Sequence, residues 1–138
     1  MSEISLDEIS DMTERELPWA VEMGLSTEQV DPGQARVRLP HMDRNLRPGG
    51  TISGPAIMSL ADYALFVAVL TSIGPQALAV TSQLSINFLR KPAPRDLLAE
   101  ARTIRVGRRL AYGEVLIYSE GDPAGDPVAH VTGSYALP

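Results

Sequence analysis

The feature that most constrains this chain of 138 residues is an almost uninterrupted apolar stretch from Gly54 to Gly74. Pro55 suits the first position of a helix, and Gly74 followed by Pro75 is a natural stop. Because the residues between them are apolar on nearly every face, they predict a helix that is buried on all sides. At the chain average of 21% charged residues, about four charges would be expected here, yet Asp62 is the only one.

A transmembrane segment is the alternative for such a helix. It is disfavoured because Asp62 interrupts the middle and because the flanking sequence is typical of strands, which leaves less than the ~20 apolar residues that a span requires. The net charge of −5 also makes binding to nucleic acid or to an anionic membrane unfavourable. With no cysteine and only His41 and His130 as histidines, we expect no disulfide and no metal site.

The N-terminal segment, residues 5–23, predicts one or two short amphipathic helices that Pro18 interrupts. Ser5 and Glu8 have the spacing of a capping box at the start of the first helix. Because no basic region precedes an apolar segment, the sequence is not typical of a signal peptide, and we expect a cytoplasmic protein.

The rest of the chain predicts strands. Gln34 to Leu39 alternates apolar and polar residues, as a half-buried strand does, and the connection from Pro40 to Pro55 is long and irregular. Four strand-like runs follow the helix, and we expect them to form an antiparallel meander: residues 81–89, 97–106, 110–119 and 128–137. The whole chain, residues 1–138, is thus predicted to be one α+β domain, in which a curved antiparallel sheet wraps one long helix and residues 1–23 form a helical extension.

Two features of the helix are candidates for chemistry. An isolated carboxylate such as Asp62 is costly in an apolar setting, so it is either satisfied structurally or used as a general base or nucleophile. The lead-in from Gly49 to Gly54 lets the backbone approach a ligand and directs free N–H groups outward, which suits a carbonyl oxygen or an oxyanion. A plain turn with Ser53 as helix cap is the simpler interpretation of this lead-in.

The spacing of these features predicts a dimer. Gly54 and Asp62 are eight residues apart, which places them roughly 12 Å apart along a helix. Both would have to lie about 3 Å from one reacting carbonyl, so they can hardly act on the same carbonyl within one subunit. If both are catalytic, Gly54 of one chain must face Asp62 of its partner.

From about Val37 to the C terminus, the chain resembles the PaaI-like branch of the hotdog-fold thioesterases. The resemblance rests on residues 47–55, followed by residues 59–62, which are similar to a family pattern of Asn, Gly and then His-Gly-Gly, with an Asp eight residues after the first glycine of that triplet. Residues 81–90 and 106–110 are similar to two further strands of the family.

The resemblance implies hydrolysis of a small or medium acyl-CoA at a subunit interface, in a dimer or a pair of dimers. It implies that Asp62 is the nucleophile or general base, that the Gly54 N–H polarises the thioester carbonyl, and that Thr81 of the Asp62 subunit helps to place the water. No cofactor is implied beyond the coenzyme A of the substrate. The residues expected to contact the substrate are Gly50, Pro55, Arg90, Lys91, Gly107, Arg108 and Arg109. Of these, the resemblance implies that Arg90 and the turn of residues 107–109 meet the coenzyme A phosphates.

The chain departs from the family pattern at three positions, where Arg47 replaces the Asn, Ser53 replaces the His and Pro55 replaces the second glycine. Arg47 and Ser53 remain candidate catalytic residues. The planar guanidinium of Arg47 leads to the hypothesis that it pairs either with Asp62 or with a carboxylate on the acyl group of the substrate.

Two other functions stay open. An acyl-CoA-binding or sensing protein would retain the pocket but would have lost turnover with the Asn and the His. A hydratase of the hotdog type would need a histidine paired with a carboxylate; His41 has no matching motif, and His130 is expected to face solvent beside Thr132 and Ser134. Arg108 and Arg109 could also simply form a solvated turn.

Overall fold

The structure, a computed structural model, describes residues 1–123 and 125–138. Its elements in chain order are α1 (Leu6–Glu16), α2 (Pro18–Met23), β1 (Ser26–Asp31), β2 (Gln34–Leu39), a short 3-10 helix (Asp43–Asn45), α3 (Gly54–Ile73), β3 (Val80–Phe88), β4 (Leu97–Val106), β5 (Leu110–Ser119) and β6 (Ala129–Ala136). The antiparallel six-stranded sheet around one long helix is a hotdog fold, as predicted.

The order of strands in the sheet is β1-β2-β4-β5-β6-β3. The strands β4, β5 and β6 form the expected meander, but β3 does not pair with β4. Instead β3 lies at the far edge and pairs with β6. The prediction that all four late strands follow one another was therefore wrong in this detail, because β2 takes the place beside β4.

The strand β1 was not predicted. It has the sequence STEQVD and forms the edge of the sheet, where its residues are exposed or half-buried on both faces. Such a strand needs no apolar alternation. The sequence Pro32-Gly33 was the one local sign of this strand, because such a pair is typical of a turn. In the structure Gly33 adopts a φ of 74°, and the chain reverses there from β1 into β2.

The central helix α3 begins at the N-cap Ser53 and ends at Gly74. Its second half is buried against the sheet, mainly against β2 and β4. The helix is long and apolar enough to cross a membrane, but 72% of the relevant window is buried inside the domain, as in the core helix of a folded protein. In its first half Pro55, Met58, Ser59 and Asp62 form a stripe that the rest of this chain does not fully cover, so the prediction of burial on all sides was wrong there.

Two glycines let α3 approach the sheet closely. Gly113 and Gly133 are partners in the β5–β6 ladder. A Cβ atom at Gly113 would lie 2.6 Å from Cδ1 of Leu65 and 2.5 Å from the Arg102 carbonyl oxygen, and one at Gly133 would lie 3.1 Å from Cδ2 of Leu65. The missing side chains therefore make room for Leu65, which is fully buried in the core.

The N-terminal extension folds as the two predicted helices. Ser5 and Glu8 form the capping box, and Pro18 is the first residue of α2. The buried hydroxyl of Thr13 lies 2.6 Å from the hydroxyl of Tyr63 on α3, which ties α1 to the central helix.

Candidate active site

The carboxylate of Asp62 has two hydroxyl partners in its own chain. The Thr81 hydroxyl donates a 2.7 Å hydrogen bond to Oδ1 of Asp62. The Tyr135 hydroxyl also contacts Oδ1, and it lies 2.6 Å from the backbone carbonyl oxygen of Asp62. Among the residues that the structure describes, Oδ2 accepts no hydrogen bond. The carboxylate is thus held through one oxygen, and the other is left to take up a proton or to attack a carbonyl carbon.

Tyr135 was missed by the sequence analysis. It reaches Asp62 because β3 pairs with β6 in a register that places Thr81 opposite Tyr135. Burial, and then the charge of Asp62, raise the pKa of the Tyr135 phenol well above its usual value of 10. The phenol therefore stays protonated as a hydrogen-bond donor. No pattern in the sequence marks this residue, since it depends on the pairing of two strands that are far apart in the chain.

Asp62 and Thr81 line a cavity of about 110 Å³ with mostly apolar walls. Trp19 and Tyr63 form one side, and their rings meet edge to face at 6.2 Å. The remaining wall residues are Leu17, Phe66, Ala77, Ala79 and Tyr135. A carboxylate with ordered hydroxyl donors inside an apolar cavity is a suitable arrangement for general-base or nucleophilic attack on an acyl carbonyl group.

Gly54 and Arg47 lie in a different depression, which shares no lining residue with the Asp62 cavity in the described part of the chain. Arg90 and Lys91 line the same depression, whose volume is about 300 Å³. The ring of Phe88 covers the Cα side of Gly54 at ordinary contact distance. Asp62 and Thr81 are therefore separated from Gly54, Arg47, Arg90 and Lys91 within one subunit.

Arg47 does not pair with Asp62 of its own chain. Asp62 is bound by Thr81 and Tyr135, while the exposed side chain of Arg47 forms no ion pair within residues 1–123 and 125–138. Arg47 and Asp62 therefore do not pair within one subunit, because the two side chains lie in separate cavities. A pair across two subunits, or with a substrate carboxylate, stays a prediction.

The glycine-rich lead-in forms a tight turn before α3. Gly49 and Gly50 both adopt positive φ angles, 105° and 85°, and Nε2 of His41 donates to the Gly50 carbonyl oxygen at 2.8 Å. The Ser53 hydroxyl accepts a 3.2 Å hydrogen bond from the Ala56 N–H, so it caps the helix. Pro55 is the second helical residue and is exposed, not the first as expected.

The basic candidates differ in how they are paired. Arg90 binds Asp122 at 2.5 Å and Asp126 at 3.2 Å, so its charge is already compensated. Gly107, Arg108 and Arg109 lie with Arg105, which the sequence analysis missed, in an exposed depression of about 390 Å³ at the β4–β5 turn. In the described part of the chain none of these three arginines forms an ion pair, so this depression is the stronger candidate for a phosphate.

Neither histidine lines the Asp62 cavity. His41 is bound to the Gly50 carbonyl oxygen, and Nε2 of His130 lies 3.1 Å from Oε1 of Glu114 on β5. His130 is half-buried on the polar side of β6, where it lowers the pKa of Glu114. Within the described part of one chain, Asp62 thus has no histidine partner of the kind that a hydratase needs.

Comparison with known proteins agrees with this geometry. Residues 49–125 match the Thioesterase superfamily. A candidate esterase of Halobacterium salinarum is 32% identical over 108 residues, which cover 74% of this chain and 70% of that protein. The solved structure of a candidate thioesterase from a Silicibacter species is 40% identical, with a TM-score of 0.89. This match covers 100% of this chain and 94% of that chain.

A solved variant of the phenylacetic acid degradation protein PaaI from Thermus thermophilus is 29% identical. Its TM-score is 0.75, and the match covers 88% of this chain and 99% of that chain. The family match, the 40% identity to a solved structure over the whole of this chain, and the hotdog architecture all agree with the resemblance seen in the sequence. The chain therefore belongs to the thioesterase superfamily, in its PaaI-like hotdog branch.

Proposed function

We propose that this thioesterase hydrolyses small or medium acyl-CoA substrates at two equivalent sites between paired subunits. Each site combines Asp62 of one subunit with the Gly54 N–H of the other. The observation that carries the proposal is the carboxylate of Asp62, which two hydroxyl groups orient inside an apolar cavity on an otherwise uncharged helix.

In the proposed reaction, Thr81 and Tyr135 fix one oxygen of Asp62, and Oδ2 takes a proton from water as the water attacks the thioester carbonyl carbon. The Gly54 N–H at the helix N terminus stabilises the oxyanion that forms. The carbon–sulfur bond then breaks, and Asp62 returns its proton to the departing sulfur, so coenzyme A leaves as its thiol and the carboxylate is regenerated. A short-lived anhydride, formed by direct attack of Asp62 on the same carbon, is the alternative first step.

The proposal of a dimer is supported by two exposed features that lie near each other in the fold. The stripe of α3 that holds Asp62 also presents Met58, whose side chain is 40% exposed. The strand β3 is an edge of the sheet, and edge strands offer unpaired backbone groups to a second chain. Val80, Phe88 and Leu89 add exposed apolar surface there, which is typical of an interface.

We also propose that Arg47 recognises a carboxylate on the acyl group of the substrate in the dimer. It lines the depression of Gly54, so a partner's Asp62 that meets Gly54 brings Arg47 close to the same substrate. A kinetic comparison of neutral and dicarboxylic acyl-CoAs tests this point. No preference for the acid in the wild type, and none lost in Arg47→Met, would show that Arg47 does not recognise a carboxylate.

The main test is thiol release over a panel of acyl-CoAs with wild type, Asp62→Asn and the exposed control Asp11→Asn. We expect Asp62→Asn to lose about 100-fold or more of kcat while it still binds a non-hydrolysable S-alkyl-CoA, because general-base catalysis is worth at least that much. Equal activity in wild type and Asp62→Asn would refute the proposed role. Tight binding without turnover in the wild type would favour a sensing protein instead.

A mixing experiment tests the two-chain site. Asp62→Asn should be inactive, and so should Gly54→Pro, which removes the N–H at a first helical position that accepts proline. Mixed dimers of the two variants contain one site with both groups intact. Random exchange of subunits should thus restore about one quarter of the wild-type activity, since half of the dimers are mixed and half of their sites are intact. No recovery in dimers that are verified as mixed would place the whole site within one subunit.

A further inference from the structure

Tyr63 separates the Asp62 cavity from a second and larger cavity beneath α1. The second cavity has a volume of about 240 Å³, and Tyr63 lines both. Its lining combines apolar side chains, Leu6, Ile9, Val21 and Leu25, with polar residues such as Ser10, Glu14 and Thr27. Tyr63 is only 3% exposed and lines both cavities, so its ring stands between them.

Contacts on both sides hold this ring in place. Its hydroxyl shares a 2.6 Å hydrogen bond with the buried hydroxyl of Thr13 on α1. Trp19 on α2 packs against it edge to face, with an angle of 89° between the two rings. Moving the Tyr63 ring aside would leave the Thr13 hydroxyl buried without a partner, which is unfavourable. The ring is therefore a fixed partition.

We propose that Tyr63 and Trp19 set the upper limit on the length of the acyl chain. This inference rests on the proposed function, since it assumes that the acyl group enters the Asp62 cavity. A cavity of roughly 150 Å³ holds one benzene ring, so the cavity of about 110 Å³ takes fewer than about six carbon atoms. A longer chain meets the ring of Tyr63 instead of the space behind it.

The test compares Tyr63→Leu, Trp19→Ala and Tyr63→Phe with wild type. Tyr63→Leu opens the partition toward the second cavity. Trp19→Ala removes the outer wall, and because Trp19 is 41% exposed this variant keeps the proposal testable if Tyr63→Leu does not fold. Tyr63→Phe is the matched control, because it keeps the ring and loses only the hydroxyl. Ile104→Ala controls for loss of an exposed apolar side chain away from both cavities.

Two readouts separate this inference from the proposed function. The first is the affinity for S-alkyl-CoA thioethers with butyl, octyl and dodecyl chains, measured by calorimetry, which needs no turnover. The second is kcat/KM for the matching acyl-CoAs. We expect wild type, Tyr63→Phe and Ile104→Ala to prefer the butyl chain. We expect Tyr63→Leu and Trp19→Ala to raise the dodecyl-to-butyl ratio at least about tenfold, the effect of one or two more buried methylene groups.

An unchanged length preference in folded Trp19→Ala and Tyr63→Leu, or a wild type that binds dodecyl as well as butyl, would overturn the inference but leave the thioesterase function standing. The expected shift in binding without any turnover would support the length limit and refute hydrolysis. If the wild type binds none of the three thioethers, both the length limit and the proposed function are overturned.

Discussion

The hydroxyl of Thr81 donates a 2.7 Å hydrogen bond to Oδ1 of Asp62, and Tyr135 contacts the same oxygen from the adjacent strand. Thr81 and Tyr135 are opposite each other in the β3–β6 ladder, whereas Asp62 comes from the central helix. Three elements thus converge on one carboxylate oxygen and fix its orientation. The hydrogen bonds from two hydroxyl groups thus hold the carboxylate in one orientation, which its position in an apolar helix alone would not do.

Removing the Tyr135 hydroxyl should slow the reaction without unfolding the protein. A hydrogen bond to a charged group is worth about 1.5–3 kcal/mol, so we expect Tyr135→Phe to lower kcat by about 10- to 100-fold. Because the pKa of this phenol is raised, its ionisation should not limit the wild-type rate at moderately alkaline pH. Thiol release from the preferred acyl-CoA measures the effect, with Tyr118→Phe as the control. Equal rates in both variants would assign Tyr135 a purely structural role.

A charge on the exposed stripe of α3 should separate the subunits. Met58 lies one turn before Asp62, and in a pair of such helices Met58→Asp would bring additional carboxylates together in an apolar interface. We expect a monomer without thioesterase activity, and light scattering after gel filtration measures the mass. Ile104→Asp, at another exposed apolar position on β4, should remain a dimer. A dimeric and active Met58→Asp would exclude this stripe from the interface.

The close approach of α3 to the sheet should make Gly113 intolerant of a side chain. An added methyl group would collide with the Arg102 carbonyl oxygen and with Leu65. We expect Gly113→Ala to lower the free energy of unfolding by about 2–3 kcal/mol, measured by urea denaturation. At Gly54 the added Cβ would meet only the Phe88 ring, at 3.5 Å, so Gly54→Ala should be nearly neutral for stability. Equal stabilities of the two variants would contradict the packing described for Leu65.

Asp96 should contribute to stability in a way that depends on pH. The His41 backbone N–H donates to Oδ1 at 2.8 Å and Arg38 donates to Oδ2 at 2.9 Å, and these contacts lower the pKa of Asp96 below 3.8, the hydrogen bond from His41 most. The stabilisation is complete above the unfolded-state value and is lost as the pH falls through the lower folded-state value.

We therefore expect Asp96→Asn to lose about 1–2 kcal/mol at pH 7, and we expect this difference from wild type to shrink as the pH falls below 3.8. Urea denaturation across this pH range is the measurement, and Asp11→Asn serves as an exposed control. A difference between wild type and Asp96→Asn that does not change with pH would show that the shape of the side chain matters, and not its charge.

The elements with a one-sided apolar pattern could be predicted from the sequence. The strands β2, β4 and β5 have the predicted bounds, because a half-buried strand must alternate and a turn must interrupt it. The strand β1 could not be found in this way, because it is an edge strand exposed on both faces. The position of β3 beside β6 was also not predictable, since the alternation of one strand does not determine which strand it pairs with.

The sequence by itself determined the central helix and singled out Asp62 as a candidate residue, because a single charge in an apolar helix is costly. It also placed Gly54 and Asp62 too far apart to act on one carbonyl within one chain, since helical rise follows from residue number alone. Only the tertiary structure decided what surrounds the carboxylate. Tyr135, Trp19 and Tyr63 meet Asp62 through strand pairing and helix packing between distant parts of the chain, and such contacts leave no local pattern in the sequence.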